Sequence, residues 1–418
     1  MLGRVSLLRF ATFALSFCIL ASLGIGTFAD SSATYIIFTI EDSSENPALA
    51  WLGEGIALSI TEQIGIPGVK VIDYEKKMEL TDDLDLPPSS ALSHASMIRL
   101  AERAPADFLV MGTFSGTDET LHISLRVLDL KTMRLGGEIS ANGQLSVLPQ
   151  MENELAWLIL SNSGMNGTYS REEFKKRTRL IPDASFAYFV RSLTISDEDS
   201  KLRFLSKAVE LTPNFPEARF LLGKNYFEKA DWQEAAKHFE YALKSGKRAQ
   251  EAEFMLGICY YQRNFFEQSV RSYSHLLMQR ASPEVLNNLG AAYLRKGEYS
   301  MALQKFLEAQ ELARTSATVN LNLGLLWHLQ SDNTSARAVL EEAIRSNPDN
   351  GMLYYIFSKV LAAQGEADAA KLALEKARHL GINVEQIDRE DPRSWARIFL
   401  ERDRHWGTTN LDNEGVAK

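Results

Sequence analysis

The chain has 418 residues, of which 45% are hydrophobic and 24% charged, so it is an ordinary globular composition long enough for two or three domains. Its formal net charge is -9, and an acidic chain gains nothing from neutralising phosphates, so nucleic acid is not the expected partner. Two cysteines, Cys18 and Cys259, are too few for a disulfide scaffold.

Residues 1–29 place Arg4 and Arg9 before an uncharged apolar run from Phe10 to Ile25, followed by the small residues Thr27 and Ala29. That is the pattern of a secretory signal peptide cut after Ala29. The rival reading is an uncleaved anchor, for which the run is short; kept, it would be the chain's one membrane contact. Bulky Phe17 before Cys18 makes a poor lipid-attachment site. The expected location is periplasmic or otherwise exported. Cleavage leaves Cys259 alone, so no intrachain disulfide is expected, and its apolar setting "MLGICYYQ" predicts a buried structural thiol.

Residues 30–160 alternate strand-like and helix-like periods. Residues 35–40 ("YIIFTI") read as a strand. Residues 49–64 read as a helix, with Ala48, Leu52, Ile56, Ile60 and Ile64 at i, i+4 spacing. A strand at 69–73, a helix at 89–103 and a strand at 108–113 follow. "LHISLRVL" at 121–128 alternates as a strand covered on one face, with a hairpin partner at 135–143 and a closing helix at 148–160. The order βαβαβββα predicts an α/β (or α+β) domain.

"WLGEG" at 51–55 invites a phosphate-loop reading. A dinucleotide loop needs a third glycine where Leu58 stands, and a P-loop needs a following Lys-Ser or Lys-Thr, which is missing. Gly53 and Gly55 are therefore expected to let the helix lie close to the sheet. The alternative is an enzyme or sensor that binds a nucleotide or sugar there. "TDDLD" at 81–85 lacks the glycine and terminal glutamate of a calcium loop and is expected to be a solvated loop. None of the seven histidines pairs at i, i+3 or i, i+4, and no nucleophile elbow occurs. No catalytic residue, metal or cofactor is expected.

"FTIEDSSENPALAWLGEGIALSI" resembles the opening of the TolB amino-terminal-like domain, in which a loop leads into a helix beginning W-L-G-E-G. "APADFLVMGTF" and "LHISLRVLDLKTMRL" resemble later strands of that family, although Met133 stands where the family usually has glycine. The resemblance covers roughly residues 35–160. It implies a periplasmic, non-catalytic, protein-contacting module without a defined ligand.

Residues 161–181 are turn-rich and then charged, and read as a linker in which Lys175, Lys176, Arg177 and Arg179 are solvated. From residue 182 a helical pattern repeats. Gly223, Gly257, Gly290 and Gly324 are spaced by 34, 33 and 34 residues. An aromatic recurs three residues after each glycine (Tyr226, Tyr260, Tyr293, Trp327) and a small residue twelve after (Ala235, Ser269, Ala302, Ala336). Alanine follows at nineteen in three units (Ala242, Ala309, Ala343), with Leu276 breaking the rule. The small residues are expected to let two helices approach closely while the +3 aromatic fills the space between them.

These units resemble tetratricopeptide repeats over about 200 residues, best at 216–249, 250–282, 283–316 and 317–350. Degenerate units flank them, giving about six across 182–384. A capping helix is expected at 385–406, opened by Asp391-Pro392, with Trp395, Ile398 and Phe399 covering the last repeat; residues 407–418 are expected to be disordered. The resemblance implies an all-α superhelix whose first helices line a concave groove. The repeat register then nominates Phe220, Lys224, Phe227, Phe254, Ile258, Tyr261, Asn287, Leu294, Arg295, Leu321, Leu325 and His328 as partner-binding residues, with inter-repeat packing the competing role for each apolar one. The chain as a whole reads as a non-catalytic exported adaptor for a protein or peptide, an envelope component engaged in assembly or maintenance. A signal-anchored membrane regulator is the other alternative.

Overall fold

The structure, a computed structural model, describes residues 33–400 except 45, 87–91, 166, 168 and 245–247. The expectations for residues 1–29 and 407–418 lie outside the described residues. The chain divides into two compact units, one ending at Arg179 and one beginning at Leu180.

The first unit is a mixed sheet flanked by helices. Strand β1 (Ala33–Ile37) lies between two parallel neighbours, β3 (Val69–Ile72) and β4 (Phe108–Gly116). Beyond it, β2 (Glu41–Asp42) runs parallel beside the end of β4. Strand β5 (Leu121–Asp129) pairs antiparallel with β4 and carries β6 (Arg134–Leu135) and β7 (Ile139–Gly143). Side chains alternate across the sheet, so Ile36 and Phe38 share one face with Leu109 and Leu128. That face is covered by Leu80 of α2 (Tyr74–Asp83) and by Met97 and Leu100 of α3 (His94–Arg103). The remaining long helices are α1 (Leu52–Ile64) and α4 (Leu148–Asn162), which pack on each other.

Helix α2 is absent from the sequence reading. Asp73 caps it by accepting from the Lys76 N–H, but only Lys77, Leu80 and Thr81 are buried, too few apolar positions to print a period. Thr81, Asp82 and Asp83 belong to this helix, so "TDDLD" is largely helical rather than a loop. Among the described residues no group of three His, Cys, Asp or Glu side chains is placed to hold a metal.

Helix α1 starts at Leu52, leaving Ala48 exposed in the preceding turn, while Leu52, Ile56, Ile60 and Ile64 are all buried. A Cβ on Gly53 would come within 2.3 Å of the Ile40 carbonyl oxygen. The Ile40 N–H in turn donates to the Gly53 carbonyl, at 3.1 Å. Glycine is therefore required here for backbone-to-backbone approach. The acid between the glycines has its own role. Glu54 is buried and takes Lys77 Nζ of α2 at 3.0 Å, while its other oxygen accepts from the Thr39 hydroxyl. Lys77 Nζ also reaches the Ile37 carbonyl at 3.4 Å. Strand β1 is the point where the order reverses between β3 and β4, and α/β sheets hold ligands at the carboxyl ends of such strands. Here that end is filled by the chain's own ion pair.

The segment read as a solvated linker is partly folded onto this unit. Ser170 forms a capping box for the short helix α5 (Arg171–Lys175). Arg177 donates to the Gln63 and Gly65 carbonyls at the end of α1, both at 2.9 Å, where unpaired carbonyls and the helix dipole favour a cation. Arg179 is buried against Glu152 of α4, and Glu152 also accepts from the Ser59 hydroxyl at 2.6 Å. Arg179 is a buried carboxylate partner and Arg177 a half-buried helix-end partner rather than solvated charges; Lys175 keeps an exposed pairing with Glu172.

The second unit is all-α. Its helices form six hairpins: α6 and α7 (Asp183–Thr194, Glu198–Leu211), α8 and α9 (Pro216–Glu228, Trp232–Ala242), α10 and α11 (Ala249–Gln262, Phe266–Gln279), α12 and α13 (Pro283–Lys296, Tyr299–Leu312), α14 and α15 (Ala317–Leu329, Asn333–Ser346), α16 and α17 (Gly351–Ala363, Ala367–His379). Each anchor glycine faces the side chain sixteen residues later. A Cβ on Gly223, Gly257 or Gly290 would lie 2.7 Å from the ring of Phe239, Tyr273 or Phe306, and one on Gly324 would lie 2.5 Å from Leu340. All four of those partners are buried. The +3 aromatics are only half-buried, so they do not fill the gap as expected; the +16 residue does. Leu276 is fully buried in the alanine position, so the space there tolerates a larger side chain. In the second unit Ser269 donates to the carbonyl of its anchor Gly257, at 2.9 Å.

The hairpin turns share a feature with a cost. Seven residues after the anchor position the backbone takes a positive φ: Ala230, Asn264, Gly297, Ser331 and Gly365, at 55°, 62°, 80°, 66° and 86°. Only glycine occupies that region without strain.

Ala230→Gly and Ser331→Gly should each raise stability by up to about 1 kcal/mol, read as the midpoint of a chemical denaturation; a loss would show that these turns carry no strain. In the first unit, Lys77→Met alone should cost about 3 kcal/mol because it strands the Glu54 carboxylate, whereas Lys77→Met with Glu54→Leu should recover much of it. Equal losses for the single and double variants would contradict the buried pairing.

Candidate functional site

Two of the first helices carry asparagine two residues before the anchor glycine: Asn288 in α12 and Asn322 in α14. Asn287 adjoins the first. All three are fully buried. A buried amide needs partners, because a polar group left unpaired away from water costs about 1–3 kcal/mol.

The partners come from the chain's far end. After α17 a short helix α18 (Val384–Ile387) leads to Asp391, which caps a 3-10 turn over Pro392–Trp395. Trp395 is buried edge-on against Tyr355, with ring centroids 5.0 Å apart, and donates to the Ile387 carbonyl at 3.3 Å. At Ala396 the backbone leaves the helical region, with ψ of 141°. Among the described residues the expected capping helix therefore stops at this turn; its last part, 401–406, lies outside them. Ile398 and Phe399 do not form a helix over the last repeat; their segment lies along α12 and α14.

The geometry there is regular. Asn322 accepts from the Arg397 N–H at 2.8 Å and donates to the Arg397 carbonyl at 2.7 Å. Asn288 accepts from the Phe399 N–H at 2.7 Å and donates to the Phe399 carbonyl at 2.8 Å. Each side-chain amide thus pairs with both backbone groups of one residue, as a neighbouring strand would, and it does so at alternate residues. Asn287 orients the set: it accepts from Asn322 at 2.8 Å and donates to the Arg397 carbonyl at 3.0 Å. Tyr273 accepts from Asn288 at 3.2 Å, and burial pushes its hydroxyl far above its ordinary pKa, so it stays protonated. Ile398 and Phe399 pack against the core cluster that includes Leu289, Leu321 and Leu325.

The twelve residues nominated from sequence divide. Phe220, Phe254, Ile258, Tyr261, Leu294, Leu321 and Leu325 are enclosed in the apolar clusters of the repeats, which is the packing role weighed against lining. Asn287 belongs to the asparagine site. Lys224 is exposed. Phe227 is half-buried, edge-on to Trp232 with centroids 5.0 Å apart. Arg295 is half-buried over the Phe266 ring at 4.5 Å and donates to Asn264 at 2.9 Å. His328 is half-buried and bonded through Nδ1 to Asn333 at 2.8 Å. The reading missed Asn288 and Asn322, although their shared offset from the anchor glycine was visible in "NLGAAY" and "NLGLLW".

Two other titratable groups in the repeats are buried. Cys259 is free and buried, and burial pushes its thiol up to about 12, so it is no thiolate at neutral pH. His238 stacks on Tyr226 at 5.4 Å and meets Arg219 at 3.2 Å. Burial, and then the Arg219 charge, push it down to about 4, so it is neutral.

Residues 283–316 match one tetratricopeptide-repeat family model, and residues 220–267 and 320–383 match another. The second unit therefore contains tetratricopeptide repeats. The chain is similar to the BBSome complex member BBS4 of Bos taurus, 25% identical over 237 residues, which cover 54% of this chain and 46% of that relative. The chain thus spans less than half the length of this curated relative. Among solved structures it is similar to PilF of Pseudomonas aeruginosa, with 18% identity, a TM-score of 0.40, and coverage of 50% of this chain and 98% of that one. It is also similar to MamA, with 20% identity, a TM-score of 0.35, and coverage of 40% of this chain and 98% of that one.

Proposed function

We propose that the protein is an exported adaptor that holds an extended segment of a partner protein along α12 and α14. The observation that supports this is the pairing of Asn288 and Asn322 with both backbone groups of alternate residues in an extended chain. Such pairing reads main chain rather than sequence, so it suits an extended peptide. The apolar surface around it, touched by Ile398 and Phe399, supplies burial for the side chains.

The envelope setting is part of the same reading. It is supported by the signal-like residues 1–29 and by the resemblance of residues 35–160 to the TolB amino-terminal-like domain, whose relatives occur in bacterial envelope proteins. In this account the first unit docks the adaptor to an envelope component and the repeats capture the client.

Two measurements test the proposal. A cross-linked pull-down from envelope extract should recover partners with residues 30–418 that are lost when Asn288→Leu and Asn322→Leu are introduced together and circular dichroism shows the helices intact. Identical recovery from both baits would remove the asparagine face from the function. Intact mass of the chain expressed with residues 1–29 in a bacterial host should show a mature protein beginning at Asp30. A chain still beginning at Met1 and fractionating with membrane would favour the anchored form.

A further inference from the structure

The occupant of the asparagine face is the chain itself, and its manner of attachment changes abruptly at one residue. Through Trp395 the segment is fixed by ring packing on Tyr355 and by burial. Over residues 397–400 it has no regular structure; Arg397 is exposed, Ile398 and Phe399 are half-buried, and Leu400 is 50% exposed. Residues 397–399 are held by the hydrogen bonds from Asn287, Asn288 and Asn322 to their main chain and by the packing of the Ile398 and Phe399 side chains.

A terminal cap of a repeat stack covers the end repeat. This segment passes the last hairpin, α16 and α17, and returns to α12 and α14. Its contacts are of a kind that any extended chain can copy, since main-chain hydrogen bonds carry no sequence. Each is worth about 1 kcal/mol net, so the set can be exchanged for an equivalent one. An empty face takes the main-chain partners from three amides, which keep only the bonds of Asn322 to Asn287, Asn287 to Asn288 and Asn288 to Tyr273.

We propose that residues 396–400 are a built-in competitor for this groove: a partner's extended peptide binds to Asn288 and Asn322 by displacing them. The inference rests on the reading of the repeats as a peptide-binding surface and adds how that surface is regulated. The displacing segment has the chemistry of the one it replaces, a polar residue opposite Asn322 followed by an aliphatic and an aromatic side chain. Tethering gives the internal segment an effective concentration in the millimolar range, so weak or mismatched peptides are kept out. The apparent affinity for a partner is its intrinsic affinity reduced by the fraction of chains with the groove open.

The test uses the full chain and a version released by Ile398→Asp with Phe399→Asp. The probe is an acetylated, fluorescein-labelled peptide copy of residues 396–402, followed by anisotropy. The released chain should bind it at least ten-fold more tightly than the native chain, and the gain should vanish when Asn288→Leu and Asn322→Leu are added. In the native chain, hydrogen exchange at Arg397 and Phe399 should be at least a hundred-fold faster than in α12 and α14, showing local opening without loss of the repeats. Equal affinity for native and released chains overturns the competitor role while leaving the groove as a peptide site. Absence of binding to both overturns the competitor and the groove together. Exchange at Arg397 and Phe399 as slow as in the helix cores shows a permanent part of the fold and overturns the proposal, even if the released chain proves misfolded.

Discussion

The approach of two helices across a glycine sets the geometry of the repeats. At Gly223, Gly257, Gly290 and Gly324 a methyl group would run into the side chain sixteen residues later, so each hairpin closes to a distance that only glycine permits. Overpacking at such a contact costs about 1–3 kcal/mol, and the contact recurs in four consecutive units, which makes the spacing hard to lose piecemeal. The consequence for function lies two residues away. Because Gly290 and Gly324 are locked in register, Asn288 and Asn322 stand at equivalent positions on neighbouring first helices, and one extended chain can meet both.

Much of this was legible in the sequence because it repeats. A glycine every 33 or 34 residues, with small residues at fixed offsets, prints the hairpins directly. The identity of the side chain packed on that glycine was not legible. Tyr226, Tyr260, Tyr293 and Trp327 recur as visibly as Phe239, Tyr273, Phe306 and Leu340, and only the packing separates the half-buried set from the buried one. The asparagine site was half visible. Its two residues share an offset, but their partners lie 75 and 111 residues away, a relation with no local period. The turn at Asp391-Pro392 was readable, whereas the exit from helix at Ala396 was not, since nothing in "WARIF" forbids another turn.

The first unit shows the same division. Its main strands and the helix that begins within "WLGEG" follow from apolar periods and alternation, whereas the acidic pair of β2 does not. Helix α2 escaped because it rests on a cap and three buried residues. Glu54 and Lys77 are 23 positions apart and would pass as surface charges in any linear reading, yet they fill the carboxyl end of β1. Arg177 and Arg179 likewise looked like a solvated cluster, when one completes a helix end and the other neutralises a buried glutamate. Buried charge is the feature that sequence conceals best, because its partner is supplied by the fold.

The central claim is that Asn322 and Asn288 read the main chain at alternate residues. The most direct measurement replaces single amides by esters in the peptide copy of residues 396–402 and titrates each into the released chain. An ester at Arg397 or Phe399 removes one N–H without changing a side chain and should weaken binding about ten-fold, close to 1.4 kcal/mol, while an ester at Ala396, whose N–H and preceding carbonyl the asparagines do not touch, should leave it unchanged. The same small effect at all three positions would contradict main-chain reading by the asparagines and leave the apolar side chains as the whole basis of the site.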